Sequence, residues 1–300
     1  MTKLGNTDLD VYGLNLGGNV FGWTADEAQS FAVLDAYAAA GGNFVDSADL
    51  YGGGGGSEEI LGDWLAARGN RDDVVVATKV GMWERRPGLS AKNIQAAAED
   101  SLRRLKTDRI DLYYAHVDDP DTPLEETLSA FDALVRVGKV RYLGASNYTA
   151  ERLAAALSIS DTNSLARYAV LQPHYNLVER DYERDLAPLV QREGLATLPY
   201  FSLAKGFLTG KYRTKDDVTD SPRAARAVSY LDNGGERVLA KLDEVAKAHD
   251  VSVATVALAW LRQQPTVAAP IASARTPEQL TDLIASVTLD LTPEEVASLS

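Results

Sequence analysis

The chain has 300 residues, 45% of them hydrophobic and 24% charged, with no cysteine, a composition that allows a full apolar core but excludes disulfides and thiolate catalysis. Its formal net charge of −13 argues against a nucleic-acid or anionic-membrane partner, since both require a basic face. Its three histidines, His116, His174 and His249, lie far apart in sequence and lack metal-helix spacing, so no metal site is expected. The most apolar stretch, residues 251–261, falls short of the ~20 residues needed to span a bilayer. With no basic-then-apolar leader at the N-terminus, a cytoplasmic location is expected.

At the start of the chain, Lys3-Leu4 and residues 9–12 flank the turn-rich Gly5-Asn6-Thr7-Asp8, which predicts a β-hairpin closing the bottom of the fold. Eight short apolar runs follow, at residues 14–18, 43–46, 74–79, 110–116, 140–146, 168–172, 195–200 and 267–272. They are almost continuously apolar, as parallel strands buried on both faces are. The segments between them carry helical stripes. Ser90 caps one that bears Ile94, Ala98, Leu102 and Leu105, and Leu128, Phe131, Leu134 and Val135 form another that stops at Gly138. A third helix ends near Asp161 and Asn163. Eight strand–helix units predict an α/β architecture, a (β/α)8 TIM barrel spanning residues 1–300 as one domain. An open doubly wound sheet would want a glycine-rich turn after its first strand, which Gly17-Gly18-Asn19-Val20 matches poorly. The seventh strand–helix connection, from Phe201 to about Gly235, is the longest and therefore a candidate functional loop.

Barrels of this kind assemble their sites at the C-terminal strand ends. Here those ends are polar: Asp46, Lys79, His116, Ser146-Asn147, Gln172 and Tyr200, with Tyr51 five residues beyond Asp46. Asp46, Tyr51, Lys79 and His116 form a chemically coherent set. A phenol with a pKa of ~10 is a poor acid at neutral pH, and a nearby buried ammonium favours its phenolate. Asp46 can hold Lys79 charged, and His116 can share the substrate oxygen with Tyr51. The set suits a reaction in which hydride comes from a cofactor and a proton from the protein. A barrel lyase with Lys79 as its Schiff base is a second reading of the same residues.

Several segments carry a family resemblance: Gly42-Asn43-Phe44-Val45-Asp46-Ser47-Ala48-Asp49-Leu50-Tyr51-Gly52, Ala77-Thr78-Lys79-Val80-Gly81, Tyr113-Tyr114-Ala115-His116, Gly144-Ala145-Ser146-Asn147 and Leu171-Gln172-Pro173. Together they resemble the aldo-keto reductase superfamily over nearly the whole chain. The resemblance implies that Asp46, Tyr51, Lys79 and His116 are the catalytic tetrad of an NADPH-dependent reductase of aldehydes and ketones, with Tyr51 as general acid. It implies that Ser146, Asn147 and Gln172 bind the nicotinamide carboxamide and that Tyr200 stacks on the ring. Further cofactor contacts are implied for Gly18, Asn19, Phe201, Ser202, Leu203, Lys205, Gly206, Lys211 and Arg223. Ser273, Arg275, Gln279 and Asp282 match the adenosine and 2′-phosphate site, where the planar guanidinium of Arg275 favours NADPH over NADH. Phe21, Trp23 and Trp83 are candidate walls for a small-molecule carbonyl substrate, whereas His174 and Trp260 read as structural. The resemblance also admits a regulatory subunit that binds NADPH without a catalytic purpose. Two departures stand out: five consecutive glycines, Gly52 to Gly56, and Leu283 where the family often has Asn.

Overall fold

A computed structural model describes residues 1–218 and 224–300 of the chain. Strands β1 (Thr2–Lys3) and β2 (Asp10–Val11) pair antiparallel as the expected hairpin. Among the described residues, eight further strands form one parallel sheet: β3 (Asn15–Gly17), β4 (Phe44–Asp46), β5 (Val75–Val80), β6 (Ile110–Ala115), β7 (Val140–Ser146), β8 (Tyr168–Gln172), β9 (Ala196–Thr197) and β10 (Ile271–Ala272). They run in chain order from β3 to β9, with β10 paired to β3 on the other side. The sheet closes where Ala268 donates to the Thr197 carbonyl at 3.0 Å and Ile271 to that of Pro199 at 2.9 Å. The result is a (β/α)8 barrel. Every residue of β5 and β6 is buried, as expected of strands covered on both faces.

Helices wrap this barrel: α1 (Glu27–Ala39), α2 (Tyr51–Arg68), α3 (Ala91–Leu105), α4 (Leu124–Arg136), α5 (Ala150–Asn163), α6 (Tyr182–Glu193), α7 (Ala224–Val228), α8 (Gly235–His249), α9 (Val253–Arg262), α10 (Pro277–Ala285) and α11 (Pro293–Leu299). Ser90 caps α3 by accepting from the Asn93 amide, and the stripe from Ile94 to Leu105 is buried beneath it. The apolar stretch at residues 251–261 becomes α9, which is buried on all sides from Ala254 to Leu261. A helix that is apolar all round is buried in this way. Among the described residues no helix is long and apolar enough to cross a membrane.

The hairpin plugs the end of the barrel where the strands begin. Leu4, Leu9 and Val11 pack into one buried cluster with Phe44, Val75, Leu112, Ala196 and Ala268. With that end sealed, the strands' C-terminal ends are the open ones, and the long seventh connection lies there.

Candidate active site

Parallel strands that start on one plane end on another, so the last residues of neighbouring strands converge. Asp46 closes β4, Lys79 is next to last in β5, His116 follows β6, Ser146 ends β7, and Gln172 ends β8. All of these except Lys79 line one cleft of about 650 Å³, together with Tyr51, Asn147 and Tyr200. Lys79 is fully buried just beneath it.

The floor is a buried ion pair. Lys79 Nζ donates to Asp46 Oδ2 at 2.5 Å and to the Ser47 carbonyl at 2.6 Å. Asp46 is only 4% exposed at its side chain, so both charges are taken out of water, which is tolerated because each is hydrogen-bonded. Burial alone would lower the Lys79 pKa, but the Asp46 charge first, then the Tyr51 oxygen and hydrogen bonds to both, raise it above its ordinary value. The ammonium lies 5.1 Å from the centre of the Tyr51 ring. That ring meets His116 edge-on, with centroids 6.0 Å apart. Burial, reinforced by the Lys79 charge, pushes the His116 pKa well below the usual imidazole range, so the ring is neutral.

Next to this floor lies a connected set of amides. Gln172 Nε2 donates to the second Asp46 oxygen at 2.9 Å, and the Ser146 hydroxyl donates to the Gln172 carbonyl at 2.9 Å. Asn147 donates to the His116 carbonyl at 2.9 Å from a left-handed backbone conformation (φ 55°), which asparagine tolerates better than most residues. Its Oδ1 accepts from the Tyr200 hydroxyl at 2.8 Å. Tyr200 is itself stacked on His174, with ring planes 9° apart and centroids 5.2 Å apart. The structural reading of His174 thus has a specific content, because it backs the tyrosine that lines the cleft.

The cleft continues along the seventh and eighth connections. Phe201, Ser202, Leu203, Lys205, Gly206 and Lys211 line its middle, and Asn19, Ser273, Arg275, Gln279 and Asp282 its far end. Ser273 donates to Asn19 Oδ1 at 2.6 Å, joining the first and last βα loops. The Arg275 backbone amide donates to Gln279 Oε1 at 3.0 Å. Its guanidinium is exposed and has no hydrogen bond or ion pair among the described residues. Arg223 lies outside the described residues.

Three of the expected residues do not line the cleft. Gly18 does not line the cleft; its carbonyl accepts from Ser57 Oγ at 2.8 Å, and a side chain there would meet that oxygen at 2.9 Å. It is a packing glycine where the turn after β3 meets the start of the regular part of α2. Phe21 is fully buried in the core, and Trp83 lies against Gly54 rather than in the cleft. Of the three aromatic candidates, only Trp23 lines it, alongside Thr24, Leu50 and Met82, which the sequence reading did not single out. Met82 follows Lys79 by three residues, so its place on the loop above β5 was the available signal.

The chain is similar to known proteins along its length. The sequence profile of the Aldo/keto reductase family matches residues 13–300. An uncharacterized oxidoreductase of Bacillus subtilis, YrpG, is 36% identical over 100% of this chain and 94% of its own. Norsolorinic acid reductase stcV of Emericella nidulans is 35% identical over 89% of this chain and 70% of its own. An aryl-alcohol dehydrogenase of Pestalotiopsis microspora is 33% identical, covering 90% and 71% respectively.

Proposed function

The chain belongs to the aldo/keto reductase family of nicotinamide-dependent oxidoreductases, and from that premise we propose that it reduces aldehydes and ketones with NADPH, using Tyr51 as the proton donor. One observation carries this reading: a fully buried, charged Lys79 is held by Asp46 under the Tyr51 ring, with a neutral His116 at the ring's edge.

The donor set of the cleft fits the cofactor. An aromatic face at Tyr200 and side-chain amides at Asn147 and Gln172 suit nicotinamide and its carboxamide. Lys205 and Lys211 stand midway, where a pyrophosphate would need cations, and the exposed Arg275 guanidinium suits a terminal phosphate. When bound, the reduced nicotinamide supplies the hydride.

The protein's own residues supply the rest. Tyr51 gives its proton to the carbonyl oxygen, and the Lys79 ammonium stabilises the phenolate left behind. Asp46 fixes the ammonium and balances its charge. His116, being neutral, can donate one N–H to the same oxygen and polarise the carbonyl without competing to be the acid. A Schiff-base role for Lys79 would need a neutral amine, and the raised pKa of Lys79 opposes it. Trp23, Leu50 and Met82 form an apolar rim, which together with the aryl-alcohol dehydrogenase among the relatives favours aromatic carbonyl substrates.

The test is NADPH oxidation measured across aromatic, short-chain, dicarbonyl and sugar aldehydes, beside Tyr51→Phe. That variant should keep its NADPH affinity and lose activity by about 10²–10⁴-fold. Retention of most activity by Tyr51→Phe would overturn the proposal.

A further inference from the structure

Tyr51 is followed by residues that cannot anchor it with side chains of their own. Gly52, Gly53, Gly54 and Gly55 all take positive φ, at 66°, 80°, 111° and 108°. The regular part of α2 begins only after them. A coil of this kind has more conformational freedom to lose than any other sequence, so something outside it must hold it.

Two side chains press on the coil. A side chain on Gly54 would meet the Trp83 indole at 2.6 Å, and one on Gly55 would collide with the Arg104 guanidinium. Arg104 reaches there from α3 and is itself almost completely buried. Its Nε donates to Glu58 Oε2 at 2.6 Å, and the other Glu58 oxygen accepts from Thr78 Oγ1 at 2.5 Å. Thr78 directly precedes Lys79. Asp49 lies two residues before Tyr51, and its backbone amide donates to the Lys79 carbonyl at 3.2 Å. The Asp49 carboxylate is fully buried within electrostatic reach of Glu58, Arg86 and Arg104. One buried ionic cluster therefore touches the chain before Tyr51, the coil after it, and the strand that carries Lys79.

We infer that Arg104 is a positioning residue for Tyr51: its guanidinium, clamped by Glu58, seats the glycine coil and sets the tyrosine over Lys79. Arg104 does not border the cleft, so it acts through the coil. The inference rests on the reductase reading for its kinetic consequence but not for its structural one.

Removing Arg104 alone would leave the Glu58 charge buried without a partner, so the main test is the double variant Arg104→Met/Glu58→Gln. With the full chain and a carbonyl found in the NADPH screen, kcat should fall about ten- to hundredfold, while KM and the NADPH Kd stay within about twofold of wild type. In cofactor-free protein, amide exchange in a peptide covering residues 50–57 should speed up about tenfold, with peptides from β7 and β8 unchanged. A merely structural role would instead lower the melting temperature and weaken NADPH binding, with an unchanged kcat for each NADPH-binding site. That result, or unchanged exchange in the 50–57 peptide, overturns the inference. Should the double variant not fold, Arg104→Lys keeps the charge beside Glu58 but loses the planar contact, and the same two readouts should move about threefold. If wild type reduces no carbonyl, the reductase reading fails, and the exchange measurement still decides whether Arg104 holds the coil.

Discussion

Gln172 and Asp46 lie 126 positions apart and are joined by a 2.9 Å hydrogen bond between their side chains. The other Asp46 oxygen is held by Lys79 at 2.5 Å, so one carboxylate serves both the buried ammonium and the amide expected to meet nicotinamide. This coupling predicts a compound effect for Gln172→Met. Cofactor affinity should fall about tenfold, the value of one hydrogen bond at ~1.4 kcal/mol. At saturating NADPH, kcat should fall as well, because Asp46 loses the Gln172 donor that helps to hold it against Lys79. Steady-state kinetics at saturating cofactor separate the two effects. A kcat equal to wild type would mean that Gln172 serves the cofactor alone.

Arg275 sits at the other end of the cleft, exposed and, among the described residues, unpaired, with its backbone tied to Gln279. An anion placed there gains charge-assisted hydrogen bonds, worth about 1.5–3 kcal/mol, without breaking an ion pair among the described residues. Arg275→Ala should therefore weaken NADPH binding about ten- to hundredfold and leave NADH binding nearly unchanged. Fluorescence titration with both cofactors checks this. Equal losses would show that the guanidinium does not read the 2′-phosphate.

The barrel and the inner site were legible in the sequence for one reason. A strand buried on both faces is apolar until it ends, so the first polar residue marks the rim, as Asp46 and Gln172 do, while in β6 the buried, ion-paired Asp111 comes before the rim residue His116. The loops carried no such rule. Phe21 and Trp23 are two residues apart and equally aromatic, yet one is fully buried and the other 52% exposed. Their directions depend on a tight turn at Gly22 (φ 69°) and on contacts with the glycine coil, which no local pattern encodes. The coil reads in sequence as a flexible connection. Its packing against Arg104 and Trp83 comes from helices and loops remote in the chain.

His116 tests the electrostatics of the floor directly. Burial first, and the Lys79 charge second, keep its pKa well below the ordinary imidazole value. The His116 ring signals in an NMR titration of cofactor-free protein should therefore stay flat between pH 7.5 and 6. Lys79→Met removes the repelling charge but not the burial, so it should move the titration upward part of the way. An inflection near the ordinary value in wild type would mean that the imidazole is hydrated and the floor more open than described.

Asp49 gives the sharpest stability prediction. Burial, then the nearby Glu58 charge, pushes its pKa up from 3.8 to about 7, against the opposing pull of Arg86 and Arg104. Neither carboxylate oxygen has a side-chain hydrogen-bond partner, and Tyr113, buried in the same cluster, is also pushed up by burial and then by the Asp49 charge. The folded protein thus holds this proton more tightly than the unfolded chain. Linkage then makes stability fall as pH rises from about 4 to about 7, by up to ~1.4 kcal/mol per pH unit from this group, and the loss levels off above the folded value. Asn in place of Asp49 keeps the shape and cannot ionise. In urea unfolding at pH 5, 6, 7 and 8, Asp49→Asn should gain on wild type with each step up to about pH 7 and then run parallel to it. Curves parallel from pH 5 onward would mean that Asp49 is already ionised in the folded protein at pH 5 and that the arginines outweigh its burial.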